Sequence, residues 1–283
     1  MATFTATVLK NFRLALSALI LLAAVSTPTS AQTPLRIAAA ADLEPVLPPI
    51  LDEFQRTTGI HAEATYQASA MLTTQIENGA PFDVFLSADI GYPKRLINDG
   101  LADTAGSADS TTPITYARGT LVLWTRKPGA PADRSSSAGW KDSPLPPPSL
   151  ALLRDSRLNR LAIANPDRAP YGRAALAALT SLKLYDTLKP HLVTAENIAQ
   201  AAQFVESGNA DAGLISLTSA LTPRLQASGT YFEIPRNLYP PIEQGVVIVS
   251  NTNQRAAVHK FLDFLLSPPI QAQLAKSGLT PAK

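Results

Sequence analysis

Cysteine is absent from the 283 residues, which excludes a disulfide framework, a thiol nucleophile, a thiolate metal site and a thiol that could carry a lipid. Histidine is scarce: His61, His191 and His259 stand apart from one another and from any partner at metal-ligand spacing, so structural or surface roles are expected for all three. Neither sign of charge dominates, with 24 Lys and Arg against 22 Asp and Glu. Lys10 and Arg13 both precede the first acidic residue, Asp42, so the chain beyond position 31 carries 22 of each. That balance gives no support to polyanion binding, and nucleic acid is not an expected partner. Also missing are a Gly-x-Ser-x-Gly elbow, a phosphate loop and a Gly-x-Gly-x-x-Gly fingerprint. Adjacent carboxylates such as Asp52 and Glu53 diverge on a helix. Nothing here recommends an enzyme, and no cofactor is expected.

Long apolar runs are confined to the N-terminus. Lys10 and Arg13 precede an apolar stretch from Leu14 to Val25, and Thr29, Ser30 and Ala31 follow before Gln32. A basic start, an apolar core of about 7 to 15 residues and small residues at the cleavage site describe a secretory signal peptide. A membrane helix needs about 20 apolar residues, more than this run offers. Residues 1–31 are therefore expected to be removed, and with no thiol for an anchor the exported chain is expected free in a bacterial periplasm, as a monomer.

What is present is an alternation of strands and helices. Leu35–Ala41 reads as a buried strand, and Leu43, Val46, Leu47, Ile50, Leu51 and Phe54 then fall on one helical face that ends near Gly59. His61–Tyr66 reads as a strand, followed by a helix from Ser69 with Leu72 and Ile76. Asp83–Ala88 is a third strand, with Asp89 capping a helix that stops at Gly100. Three such units predict a parallel sheet. A second block follows: strand Thr120–Thr125, a Pro-, Ser- and Gly-rich connection from Lys127 to Pro148, strand Leu161–Ala164, helices carrying Leu176 and Leu179 and then Ile198 to Val205, and strand Ala212–Ser216. Strand Val246–Val249 and a helix with Val258, Phe261, Leu262 and Leu265 close the chain. The economical topology is α/β with two Rossmann-like lobes, joined by strands near 114 to 122 and 240 to 249. The expected division is residues 32–118 and 244–283 in lobe 1 and 119–243 in lobe 2. A ligand would sit between them, where strands end and helices begin.

Short polar or turn residues open those helices at Ala41 and Asp42, Ser69 and Ala70, Tyr171 and Gly172, and Asn197 and Ile198. Each is an ordinary capping position. Helix amino ends also carry unpaired N–H donors and about half a positive charge, so several of them converging would hold a small anion without any Lys or Arg.

The runs Ala38–Leu43, Gln75–Asp89, Ala164–Gly172, Glu196–Gln200 and Gln203–Asn209 closely resemble the periplasmic molybdate-binding proteins of ABC transporters, and the likeness covers nearly all of the chain after residue 31. The resemblance implies a type II periplasmic binding protein fold that closes on molybdate or tungstate and delivers it to a membrane permease. It also implies an oxyanion held by Ala41, Asp42, Ser69, Tyr171 and Ile198, with no direct metal ligand. Ser69 matches a hydroxyl donor, Tyr171 offers its N–H or its phenol, and Ile198 offers its N–H. The chain departs from the family at Ala41 and Asp42, where relatives have Ser, Thr or Asn, and at Ser216, where some have a Tyr donor. Pro45, Pro48 and Pro49 are expected to interrupt the first helix.

Asp42 fits least comfortably, because a carboxylate about 4 Å from a dianion costs on the order of 4 kcal/mol per charge pair at an effective dielectric near 20. Three arrangements relieve it: the side chain caps the helix starting at Leu43, the carboxyl is protonated and donates, or the ligand is not a dianion. Capping demands least. Alternative readings are a binding protein of this fold for another small anion or solute, and a secreted α/β hydrolase.

Overall fold

The computed structural model describes residues 33–104, 111–127 and 145–281. The expected signal peptide and most of the Lys127–Pro148 connection lie outside the described residues.

The first strands are β1 (Leu35–Ala40), β2 (Ala62–Gln67), β3 (Val84–Ser87), β4 (Ala102–Asp103), β5 (Ile114–Gly119) and β6 (Leu121–Arg126). They are followed by β7 (Leu161–Ala164), β8 (Leu192–Ala195), β9 (Ala212–Ser216), β10 (Gly229–Glu233), β11 (Ile242–Val249) and β12 (Thr280–Pro281). The helices used below are α1 (Leu47–Thr58), α2 (Ser69–Glu77), α3 (Gly91–Asn98), α4 (Pro170–Ser181), α5 (Ile198–Ser207), α6 (Leu217–Ala220) and α7 (Arg255–Leu265).

Two sheets form. One runs β12-β5-β11-β3-β1-β2 with β4 beside β11, and the other runs β10-β6-β9-β7-β8. In the first, β1 is parallel to β2 and β3, pairing Ile37 with both Ala64 and Val84. The parallel expectation stops there, because β11 lies antiparallel to β3 and to β5. Similarly β7 is parallel to β8 and β9, while β6 is antiparallel to β9. Strands that are nearly continuous apolar runs, such as β3 and β7, are buried on both faces, as a sheet with helices on either side requires.

The chain passes from the first sheet to the second at Gly119 and Thr120, and returns through residues 234–241 into β11. The two crossings are tied together: Leu121 N–H donates to Tyr239 Oη at 3.2 Å, and Ile234 N–H to Leu121 O at 3.0 Å. This is the two-lobed α/β architecture with a strand hinge.

Each lobe buries a core, and that of the second lobe continues across the lobe contact to Ala40, Ala41, Ala68 and Ala88. On one face of the first sheet, Leu35, Ile37, Ile50 and Phe54 pack with Val258 and Phe261. Phe54 meets Phe261 edge to face, centroids 5.4 Å apart at 82°. The opposite face buries Leu72, Ile76, Phe85 and Leu96. In the second lobe Trp124, Ile163, Ala175, Val205 and Leu214 are buried together. Among the described residues no helix is long and apolar enough to cross a membrane.

The first helix differs from expectation. Instead of starting at Leu43, the chain makes a 3-10 turn over Ala41–Leu43, and α1 begins at Leu47. Prolines explain the break. Pro48 and Pro49 sit in the first turn of α1, where a missing N–H costs nothing, whereas Pro45 cannot continue a helix from the turn before it. The helix then ends as read, with Gly59 left-handed at φ 73°.

Candidate functional site

In each lobe two adjacent parallel strands end side by side, β1 with β2 and β7 with β8, and their carboxyl ends lead to the Ala41–Leu43 turn, α2, α4 and α5. The lobes bring these ends together around a small cavity of about 10 Å³. Ala41, Asp42, Ser69, Tyr171 and Ile198 all line it, with Ala40, Gln67, Ala68, Ala88, Ala169 and Pro170. All five sequence-predicted site residues are thus brought to one place, and all five are buried. The lining contains no Lys, Arg or His.

Ser69 opens α2, Tyr171 and Ile198 lie in the first turns of α4 and α5, and N–H groups there have no acceptor within their own helices. The Asn197 side chain caps α5 by accepting from Gln200 N–H at 2.9 Å, which leaves the Ile198 N–H for another partner. Ser69 Oγ accepts from Ala88 N–H at 3.1 Å, so its own proton remains to donate. Small residues at Ala40, Ala41, Ala68 and Ala169 keep the backbone, rather than side chains, at the cavity wall.

Asp42 does not cap a helix: no side-chain bond of that kind forms at the Ala41–Leu43 turn. Its carboxylate instead lies inside the contact between the lobes. Oδ2 accepts from Tyr171 Oη at 3.1 Å and from Gln244 Nε2 at 2.5 Å, while Oδ1 is buried without a partner. Gln244 Oε1 in turn accepts from Tyr116 Oη at 2.7 Å. Burial pushes the Asp42 carboxyl up to about 6, against the pull of the Gln244 and Tyr171 bonds and of its own backbone N–H. Burial, and then the nearby Asp42 charge, holds the Tyr171 and Tyr116 phenols well above their usual range, so both stay neutral donors. The Tyr171 phenol is therefore committed to Asp42, and what this residue has free for a ligand is its N–H.

Space for that phenol comes from Gly119 at the lobe crossing, where a Cβ would stand 2.2 Å from Tyr171 Oη. Thr218 Oγ1 donates to the Asp42 carbonyl oxygen at 2.8 Å, which ties α6 to the Ala41–Leu43 turn. Ser216 does not line the cavity; it caps α6 by accepting from Ser219 N–H at 3.2 Å.

At the rim, Ala70 N–H donates to Arg168 O at 3.2 Å, and Arg173 of α4 pairs with Asp89 and donates to Tyr92 Oη at 3.1 Å. The Asp89 carboxylate also caps α3, as the sequence predicts, accepting from Gly91 and Tyr92 N–H at 2.8 and 3.0 Å. A larger, open cleft of about 290 Å³ adjoins this rim, between Asp89, Arg173, Pro170, Pro240 and Pro241. Of its three charged side chains, Asp89 and Arg173 pair with each other and Glu243 pairs with Arg118.

Gln244, Tyr116, Thr218 and Gly119 escaped the sequence reading. Gln244 stands beside Glu243 and Tyr116 beside Thr115, in strands of mixed composition, so neither is marked out by a periodic signature. Only pairing across 202 residues reveals what Gln244 does.

The chain matches the family model for bacterial extracellular solute-binding proteins over residues 35–280. The molybdate-binding protein ModA of Azotobacter vinelandii is 35% identical over 82% of this chain and 84% of its own length. The molybdate-binding protein ModA of Rhodobacter capsulatus is 34% identical over 95% of this chain and 96% of its own. Among solved structures, the Azotobacter vinelandii periplasmic molybdate-binding protein superposes with a TM-score of 0.74 at 30% identity, covering 88% of this chain and 100% of that one. The sulfate-binding protein SubI of Mycobacterium tuberculosis H37Rv gives 0.69 at 17% identity over 89% and 88%, a likeness of fold alone.

Proposed function

Because the chain belongs to the family of bacterial extracellular solute-binding proteins, we propose that it captures a tetrahedral oxyanion, molybdate or tungstate, between its lobes and presents it to an ABC permease. The observation that carries this reading is the convergence of three helix amino ends and the Ala41–Leu43 turn on one cavity without a cation. Such a site holds an anion through fixed N–H dipoles, with Ser69 Oγ adding a hydroxyl donor. Its volume, about 10 Å³, lies far below the roughly 300 to 1,000 Å³ of clefts that take drug-sized ligands. The names of the relatives support molybdate in particular.

The contacts assigned to the ligand are the N–H groups of Ala41, Asp42, Tyr171 and Ile198 and the N–H and hydroxyl of Ser69. The metal centre itself meets no protein atom. Residues 32–118 and 244–283 form one lobe and 119–243 the other, hinged at the two crossings, and the ligand joins them by accepting bonds from both. The protein acts as a periplasmic monomer after loss of residues 1–31 and binds without turnover. Sulfate, a dianion of smaller radius, is discriminated by cavity size rather than charge.

A thermal-shift panel tests this. A ligand at about a hundred times its dissociation constant adds roughly 2.7 kcal/mol to stability, which raises the melting temperature by several degrees in a chain of this size. Molybdate and tungstate produce that shift, whereas sulfate, phosphate and small organic acids do not. Equal shifts from sulfate, or none from either metal oxyanion, remove the assignment.

A further inference from the structure

Asp42 lines the cavity fully buried, and only half of its carboxyl group is satisfied. Tyr171 Oη and Gln244 Nε2 both donate to Oδ2, and Oδ1 is buried with no partner. Apart from the pull of its own backbone N–H, an ionised carboxylate here leaves Oδ1 charged and without a well-aligned donor, an arrangement that buried polar groups avoid. A neutral acid with its proton on Oδ1 resolves this. Oδ2 then serves as the carbonyl oxygen accepting two bonds, and Oδ1 becomes a donor. Tyr116 favours the same assignment, because its phenol donates to Gln244 Oε1 and so turns the amide nitrogen toward Asp42. Oδ1 is the oxygen left to carry a proton.

We propose, resting on the oxyanion reading above, that Asp42 holds the bound ligand as a carboxylic acid donating from Oδ1, so that capture of each dianion takes up one proton. The proton comes from solvent, and the only covalent bond formed is the carboxyl O–H. The acid replaces charge repulsion with a hydrogen bond, and selects a ligand whose oxygen accepts there. Around the Ala41–Leu43 turn the ionisable groups are Tyr171 of α4, Tyr116 of β5, Tyr66 of β2 and the exposed Glu44 that follows the turn; α6 and the first turn of α5 bring none. No cation is among the causes that set the Asp42 carboxyl, and burial already carries it up to about 6. A dianion alongside pushes it further in the same direction.

The test is calorimetric titration of sodium molybdate into the protein between pH 6 and 9, in buffers of different ionisation enthalpy. Wild type takes up close to one proton per molybdate at pH 8, and its affinity falls about tenfold per pH unit above pH 7. Asp42→Asn carries a permanent amide donor, so it takes up no proton and keeps a flat affinity. Asp42→Ala also takes up none but binds more weakly at every pH. Molybdate bound with no proton uptake and a pH-independent affinity in wild type overturns the proposal and leaves the oxyanion reading standing. No molybdate binding by wild type or Asp42→Asn at any pH overturns both. If Asp42→Asn does not fold, the wild-type proton count decides.

Discussion

Tyr171 and Asp42, 129 residues apart and on opposite lobes, are joined by a 3.1 Å hydrogen bond in a fully buried setting. The bond gives the phenol a partner inside the protein, so the two hydroxyls that line the cavity have different duties. Ser69→Ala removes a charge-assisted donor worth about 1.5 to 3 kcal/mol, a loss of roughly ten- to a hundredfold in molybdate affinity. Tyr171→Phe leaves the N–H in place and loses no more than about threefold at pH 6. Because the phenol bond lowers the Asp42 carboxyl, its removal also moves the pH at which affinity begins to fall upward. Calorimetry on both variants checks the order, and a larger loss in Tyr171→Phe than in Ser69→Ala reverses the assigned roles.

The raised Asp42 carboxyl makes a prediction about the unliganded protein. Its folded value of about 6 exceeds the ordinary 3.8, so the folded state holds the proton more tightly than the unfolded chain. The resulting stability is fully present below 3.8 and is lost as pH rises through about 6. A shift of that size corresponds to at most about 3 kcal/mol. Asp42→Asn is neutral at all pH, so urea denaturation of the pair shows the variant gaining on wild type between pH 4 and pH 7. A difference that stays constant over that range shows a carboxyl that is not shifted.

Gly119 gives a steric prediction. Gly119→Ala places a methyl where Tyr171 Oη lies, and overpacking of this kind costs about 1 to 3 kcal/mol. In a double-mutant cycle with Tyr171→Phe, which removes the hydroxyl, part of that cost disappears. Denaturation midpoints of the four proteins measure the coupling, and simple additivity shows that the two residues do not contend for the same space.

The elements that sequence periodicity revealed are those with one dominant environment. Strands β3, β7 and β9 are fully buried and almost wholly apolar, α1 and α7 are amphipathic, and Gly59, Gly100 and Gly208 stop helices at positive φ. Missed were β4, β8, β10 and β12, which are short or half exposed, as the mixed burial of Gly229–Glu233 shows. The five residues read as the site meet at one cavity because each follows a strand end, and that is a local pattern. The orientation of Asp42 is not local. Capping is what an Asp before an apolar run ordinarily does, but Tyr171, Gln244 and Thr218, distant in sequence, converge on the same turn and claim both the side chain and the carbonyl.

Crystals of the protein grown with molybdate, with diffraction recorded at the molybdenum absorption edge, put the ligand assignment to its most direct test. The account predicts a single strong anomalous peak within the cavity between the lobes, in reach of Ser69 Oγ and of the N–H groups of Tyr171 and Ile198. A peak in the open cleft beside Asp89 and Arg173, or no peak in a molecule that still closes, contradicts it.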